Sequence, residues 1–327
     1  MSRKTIRALT LMLVVAVTAA AGMLVWGASI FDADGPAIED TTIVLPRGSS
    51  VAQIARSLET HGILEQPDLF RLVVRATGQS KSLRAGEYLV PAASSMRAVL
   101  ALLISGETVV RRFTLPEGVT TVDALALIST AEGLEGAPPI GVGEGGLLPE
   151  TYHYAYGDAR AEVVARMQRA MATLIEELWP VRAANLPFDS PAEAIVLASI
   201  VEKETGVAEE RALVAGVFVN RLRRGMRLQS DPTVVYALTL GKGALGRRLT
   251  RDDLAVDSPF NTYRVAGLPP APIANPGRAA LEAVLNPTET ENLFFVADGT
   301  GGHVFARTLE EHRRNVRRWR QIRAEQN

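Results

Sequence analysis

Ile195–Tyr236 reads IVLASIVEKETGVAEERALVAGVFVNRLRRGMRLQSDPTVVY, an apolar helical pattern that ends on two acids, Glu202 and Glu204. Just before it, Ser190-Pro191-Ala192-Glu193 fits a capping box with proline at the first helical position, and Gly206 offers a stop after Thr205. At 100° per residue, Leu197, Ile200 and Val201 lie about 20°, 40° and 60° from Glu204, whereas Glu202 lies about 160° away. The acids therefore face opposite sides. Glu204 shares the apolar stripe, and Glu202 neighbours Ile195, Ala198 and Ser199. A carboxyl pressed against an apolar face keeps its proton near neutral pH, the state a general acid needs, which makes Glu204 the candidate acid. The alternative is that both acids decorate a fraying helix end where Lys203 and Arg211 neutralise them.

Outward from this helix the punctuation stays legible. Towards the carboxyl end, the pattern predicts a helix over 209–224 ended by Gly225, and another from Asp231-Pro232 to about Leu240. A helix opened by Asn275-Pro276-Gly277 runs to Leu285. A hairpin of 292–297 and 303–306 follows, and Thr308-Leu-Glu-Glu311 caps a last, arginine-rich helix read as a solvated face. Towards the amino end, a helix over about 161–178 is broken by Trp179-Pro180. The Gly- and Pro-rich 133–149 leads into Glu150, Tyr152, Tyr154 and Tyr156, read either as a hinge or as a substrate-facing lip.

Nearer the amino terminus there is an internal echo. Thr42-Ile-Val-Leu-Pro-Arg-Gly48 with Ser49 and Ser50 matches Phe113-Thr-Leu-Pro-Glu-Gly118 with Thr120 and Thr121; each reads strand, turn, hydroxyl cap, helix. Between the copies the pattern predicts a helix over 67–76, a strand over 86–90 and a helix from Ser95 to before Gly106. The first copy looks like a LysM motif, a strand-turn-helix that also occurs without glycan binding. Arg3, Lys4 and Arg7 precede an uncharged run, Ala8–Phe31, of about 24 residues, or ~36 Å as a helix. Acids follow it, so the positive-inside rule leaves the amino end cytoplasmic. An uncleaved anchor is the reading; a signal peptide cut near Ala19-Ala20-Ala21 is the alternative.

The 327 residues are 47% hydrophobic with a net charge of −1, enough for real cores and without a global field that would attract nucleic acid. With no cysteine, a disulfide framework, a thiol nucleophile and a cysteine-ligated metal are excluded. The four histidines are scattered without metal-ligand spacing, and neither a P-loop, a dinucleotide fingerprint nor a G-x-S-x-G elbow occurs, so no metal and no cofactor are expected.

Ala198-Ser-Ile-Val-Glu-Lys-Glu-Thr205, Glu210-Arg211, Val217-Phe-Val-Asn-Arg-Leu222 and Met226-Arg-Leu-Gln-Ser-Asp-Pro-Thr233 resemble the endolytic murein transglycosylase family, also called MltG or YceG-like. The resemblance continues through Asn261-Thr-Tyr263, Gly267-Leu-Pro-Pro270, Pro276-Gly277, Phe295-Val-Ala-Asp298 and Gly301-Gly302-His303. It implies an α+β chain: a tail (1–7), a transmembrane helix (8–31), a linker (32–40), a small LysM-like α/β module (41–113) and a larger mixed α+β catalytic domain (114–327). It further implies a single-pass enzyme of the bacterial inner membrane that cuts peptidoglycan strands internally between N-acetylmuramic acid and N-acetylglucosamine, with peptidoglycan synthases suggested as partners. The family's catalytic glutamate falls on Glu204, which would act as acid and then as base to leave a 1,6-anhydro end. Glu150, Tyr152, Asn220, Arg221, Gln229, Asp231, Asn261 and Tyr263 are the candidate substrate contacts. Among them Asp231 is open to being only an N-cap, and Arg221 to pairing with Glu204 or Glu202. Family members often carry an aromatic residue where this chain has Gly146. A water-using muramidase with Glu150 or Asp231 as second carboxylate, and a non-catalytic glycan-binding membrane protein, are the alternatives.

Overall fold

The uncharged amino-terminal run forms a single helix, α1 (Arg3–Asp32), in the computed structural model, which describes residues 3–325. Met1 and Ser2 of the expected tail lie outside the described residues. From Thr5 to Asp32 the helix measures about 42 Å, long and apolar enough to cross a bilayer, and its most apolar window has no buried residue.

The chain divides into two compact units, the first made of residues up to Arg111 together with 154–158. In it β1 (Thr41–Leu45) leads to α2 (Val51–Thr60) and α3 (Pro67–Ala76), and then β2 (Gly86–Val90) pairs antiparallel with β1, Ile43 facing Tyr88. The helix α4 (Met96–Ser105) follows. Ser50 and Gln53 close a capping box on α2, Pro67 starts α3, Ser95 caps α4, and Gly106 ends it at φ 73°. The strand's buried alternate positions, Ile43 and Leu45, meet Ile54, Leu58, Phe70, Val74, Tyr88 and Leu103 in one core. Glu87 is buried beside them; Arg111 grips it through two hydrogen bonds of 2.6 and 2.9 Å, and this holds the carboxyl below its usual range.

The second unit comprises 112–153 and the chain from Ala159 onward. Strands β3 (Val110–Thr114) and β4 (Thr151–Ala155) cross the division in sequence; within the second unit the Thr114 and Thr151 hydroxyls are 2.8 Å apart. Between these strands lies α5 (Thr121–Ser129), capped by Thr120, and after them comes α6 (Arg160–Leu178), which ends in a tight turn at Trp179-Pro180. The centre is α7 (Pro191–Glu204), where Ala194, Leu197, Ala198, Ile200 and Val201 are all inaccessible to solvent. Packed against it are α8 (Arg211–Arg223), α9 (Asp231–Thr239) and α10 (Arg278–Leu285). The hairpin of β5 (Phe294–Ala297) and β6 (His303–Ala306) then lies under α11 (Leu309–Glu325).

The capping box of Ser190 and Glu193 forms, and α7 ends where expected, Thr205 turning extended at φ −139°, ψ 130° just before Gly206. Two other expectations need correction. The helix expected over 209–224 is split, because Glu210 is held by His303 and Ala208–Glu210 forms a separate 3-10 turn before α8. The last helix is solvated on one side only, since His312 stacks on Phe294 at 5.1 Å between ring centres.

Asn275, fully buried, ties the Gly- and Pro-rich segment down. Its Oδ1 accepts the Leu147 N–H at 2.9 Å, and its amide donates to the Val119 carbonyl and the Thr121 hydroxyl at 3.1 and 3.2 Å. Asn275→Ala leaves these groups unpaired in the interior and is expected to cost about 3 kcal/mol. Urea unfolding followed by the fluorescence of Trp179 and Trp319 measures it; an unchanged midpoint would show that water replaces the amide.

Candidate active site

Glu204 is the last residue of α7, at the end of the apolar stripe, and its carboxyl enters a cavity of about 530 Å³. Arg221, Gln229, Asp231 and Tyr263 line the same cavity, so five of the nine residues singled out in the sequence come together. The opposite wall is Phe294, Phe295 and His303 from the hairpin, with Leu309 and His312 from α11.

Burial raises Glu204 to about 7. Against this, the Ser230 hydroxyl donates to Oε1 at 2.5 Å and favours the ionised form. The nearby Asp231 pushes the pKa up, while His303 and Arg221 pull it down. Burial prevails, and near neutral pH the group is divided between acid and carboxylate.

Ser230 sits at the N-cap of α9, yet its hydroxyl serves Glu204 and makes no cap bond. It is held by its N–H to the Thr262 hydroxyl at 3.0 Å and by its carbonyl, which accepts from the Thr233 hydroxyl at 2.6 Å. Just before it, Gln229 adopts φ 51°, a left-handed conformation that costs a non-glycine residue about 1 kcal/mol and occurs at sites where the chain must turn sharply. Asp231 is the first helical residue rather than an N-cap, and its Oδ1 accepts the Tyr263 hydroxyl at 2.6 Å. Burial, reinforced by that carboxylate, pushes the Tyr263 phenol well above its usual range.

Arg221 pairs with neither glutamate. Its Nε donates to the Leu293 carbonyl and its Nη1 to the Leu228 carbonyl, both at 2.6 Å, and its guanidinium lies 5.2 Å from the Phe294 ring centre. It thus locks the hairpin to α8 while adding positive charge near Glu204. Glu202 points the other way, as the wheel requires, and accepts the Gly277 N–H at 2.9 Å at the start of α10. Its carboxyl is raised by burial, but it faces packing and not the cavity.

The remaining four residues belong to the scaffold or to open surface. Asn220 donates to the Thr290 and Asn292 carbonyls, and buried Asn261 to those of Leu254 and Val256. Tyr152 donates to the Leu148 carbonyl, and Glu150 is exposed. In the glycine-rich stretch ahead of them, Glu144 is bound to Thr121 and Tyr236, so that part of the loop is a strut. Conversely, the sequence reading did not assign Ser230 or the pair Glu210–His303, in which Glu210 accepts from the His303 backbone at 2.8 Å and meets Nδ1 at 2.7 Å. Their signals were present, Ser230 directly ahead of Asp231-Pro232 and His303 after two glycines, but neither pattern names a partner.

Such an arrangement defines a mixed α+β protein that presents an acid titrating near neutral pH to an aromatic-walled cleft, in a chain whose amino-terminal helix is apolar. The sequence pattern of the YceG-like family matches residues 43–318, and the chain belongs to that family. It is 30% identical to the endolytic murein transglycosylase of Streptococcus pneumoniae serotype 2 (strain D39 / NCTC 7466), a match that takes in 88% of this chain and 60% of that protein. It is also 30% identical to the endolytic murein transglycosylase of Bacillus subtilis (strain 168), over 89% of this chain and 88% of the relative. The chain thus spans about three fifths of the streptococcal protein's length. The crystal structure of a yceG-like protein of Listeria monocytogenes, 29% identical, superposes with a TM-score of 0.54 over 84% of this chain and 98% of its own.

Proposed function

We propose that the chain is an endolytic murein transglycosylase in which Glu204 is the catalytic acid and base. The observation that carries this reading is a carboxyl with a pKa of about 7 opening into the cavity, with one oxygen already engaged. Because Oε1 accepts from Ser230, the proton of the neutral form resides on Oε2. That proton passes to the glycosidic oxygen as the bond from muramic acid C1 breaks. The resulting carboxylate then takes the proton of the muramoyl 6-hydroxyl, whose oxygen closes on C1. The product is a 1,6-anhydro end, no water is consumed, and Glu204 regains its proton. Arg221 and Ser230 favour the carboxylate half of the cycle, and burial favours the acid half.

Asp231 is a second carboxyl in the cavity, which a water-using muramidase would need, but the Tyr263 hydroxyl already occupies its Oδ1. Mass spectrometry of digested peptidoglycan separates the two chemistries: 1,6-anhydro ends are expected, and reducing muramic acid ends would overturn the lyase reading. Arg3 and Arg7, in the first turns of α1 ahead of its uncharged run, support a cytoplasmic amino end, with the chain beyond α1 outside the membrane near peptidoglycan synthases. The β-α-α-β order of the first unit supports a LysM-like role in holding the glycan.

A further inference from the structure

The Glu204 cavity has two neighbours, and Asp231 forms part of the wall of each. One, of about 600 Å³, is walled mainly by apolar groups, Pro232, Tyr236 and Ile273 among them, with Lys203 and Arg247 at its margin. The other, of about 730 Å³, is basic: Arg247 and Arg248 stand on one side, Trp319 and Arg323 on the other. Its construction is specific. Arg247 binds both oxygens of Asp253 at 2.5 and 2.8 Å, and Asp253 in turn accepts from Thr250 N and Oγ1, so the segment that displays Arg248 is fixed. Trp319 and Arg323 lie one turn apart on α11 and share a face. A planar guanidinium matches a carboxylate, and an indole face covers aliphatic chain.

We propose that this basic cavity binds the carboxylates of the peptide stem carried by the muramic acid at the cleavage point. The inference rests on the murein-cleaving reading above. Murein bears a short acidic peptide on each muramic acid, so a strand with its bond at Glu204 must send a stem sideways out of the cleft. The apolar neighbour suits sugar faces, and the arginine-lined one suits the stem. Asp231, standing between, repels a carboxylate from the acid itself and sends it to Arg248.

The test uses the full chain carrying Glu204→Gln, so that ligands stay intact, with two probes: uncross-linked glycan strands bearing stems, and the same strands stripped of peptide by an amidase. Stem-bearing strands are expected to bind about tenfold tighter, as one or two charge-assisted hydrogen bonds would give, with the advantage shrinking as salt rises. Adding Arg248→Ala is expected to bring the ratio to near one, and Arg248→Lys to retain part of it. Equal binding of both probes by the parent, an undiminished ratio in the double variant, or an equal loss for both probes would each overturn the proposal. Cleavage of stem-free strands by the wild-type chain tests the underlying activity separately.

Discussion

Glu204→Gln is expected to lower kcat/KM for strand cleavage by about 10³-fold, the scale of a positioned acid and base. The amide still accepts the Ser230 hydrogen bond but can neither give nor take the catalytic proton. For the wild type, the reactive form is the protonated one. Its kcat/KM is therefore expected to fall about tenfold per pH unit above a midpoint near 7. A midpoint left near the ordinary glutamate value of 4.5 would refute the burial argument.

The same variant carries a stability signature of definite sign. The folded pKa lies above the unfolded one, so between about 4.5 and 7 the native state binds more protons. Stability is therefore lost as pH rises through that window and stays lower above it. Glu204→Gln escapes this loss and is expected to be more stable than wild type at pH 8, by up to about 3 kcal/mol, and equal to it near pH 4. Urea unfolding at both pH values checks the difference; a variant less stable at pH 8 would show that the carboxylate is well solvated.

Arg221→Met is expected to destabilise the second unit by about 3–4 kcal/mol, because the Leu293 and Leu228 carbonyls lose their donors in a buried place. Arg221→Lys should recover little, since an ammonium lacks the planar fork that reaches both carbonyls. Removing the positive charge also takes away one influence that lowers Glu204, so the activity midpoint should move up. A urea midpoint within error of wild type would mean that the hairpin is held by Phe295 packing against Phe218 instead.

Asn220 and Arg221 show why the site was only partly legible. They are adjacent on α8 and sit in one sequence string, yet 100° of helical turn sends them to different places. Asn220 holds the 290–292 segment, and Arg221 reaches the cavity wall. The Thr290 partner of Asn220 and the Leu293 partner of Arg221 lie about 70 residues along the chain, a distance over which periodicity carries no information. The helix limits fared better. The 67–76 helix, the hydroxyl cap at Ser50 and the capping box at Ser190 rest on proline geometry and side-chain bonds spanning three residues, so local sequence is sufficient.

That Glu202 and Glu204 face opposite ways was decided by the sequence alone, because two residues along a helix turn about 200° whatever surrounds it. That Glu204 holds a proton near neutral pH was decided by tertiary structure. Ser230, Asp231, Tyr263 and His303 come from a later helix, a loop and a hairpin, and only when folded together do they exclude water and set the charges around the acid.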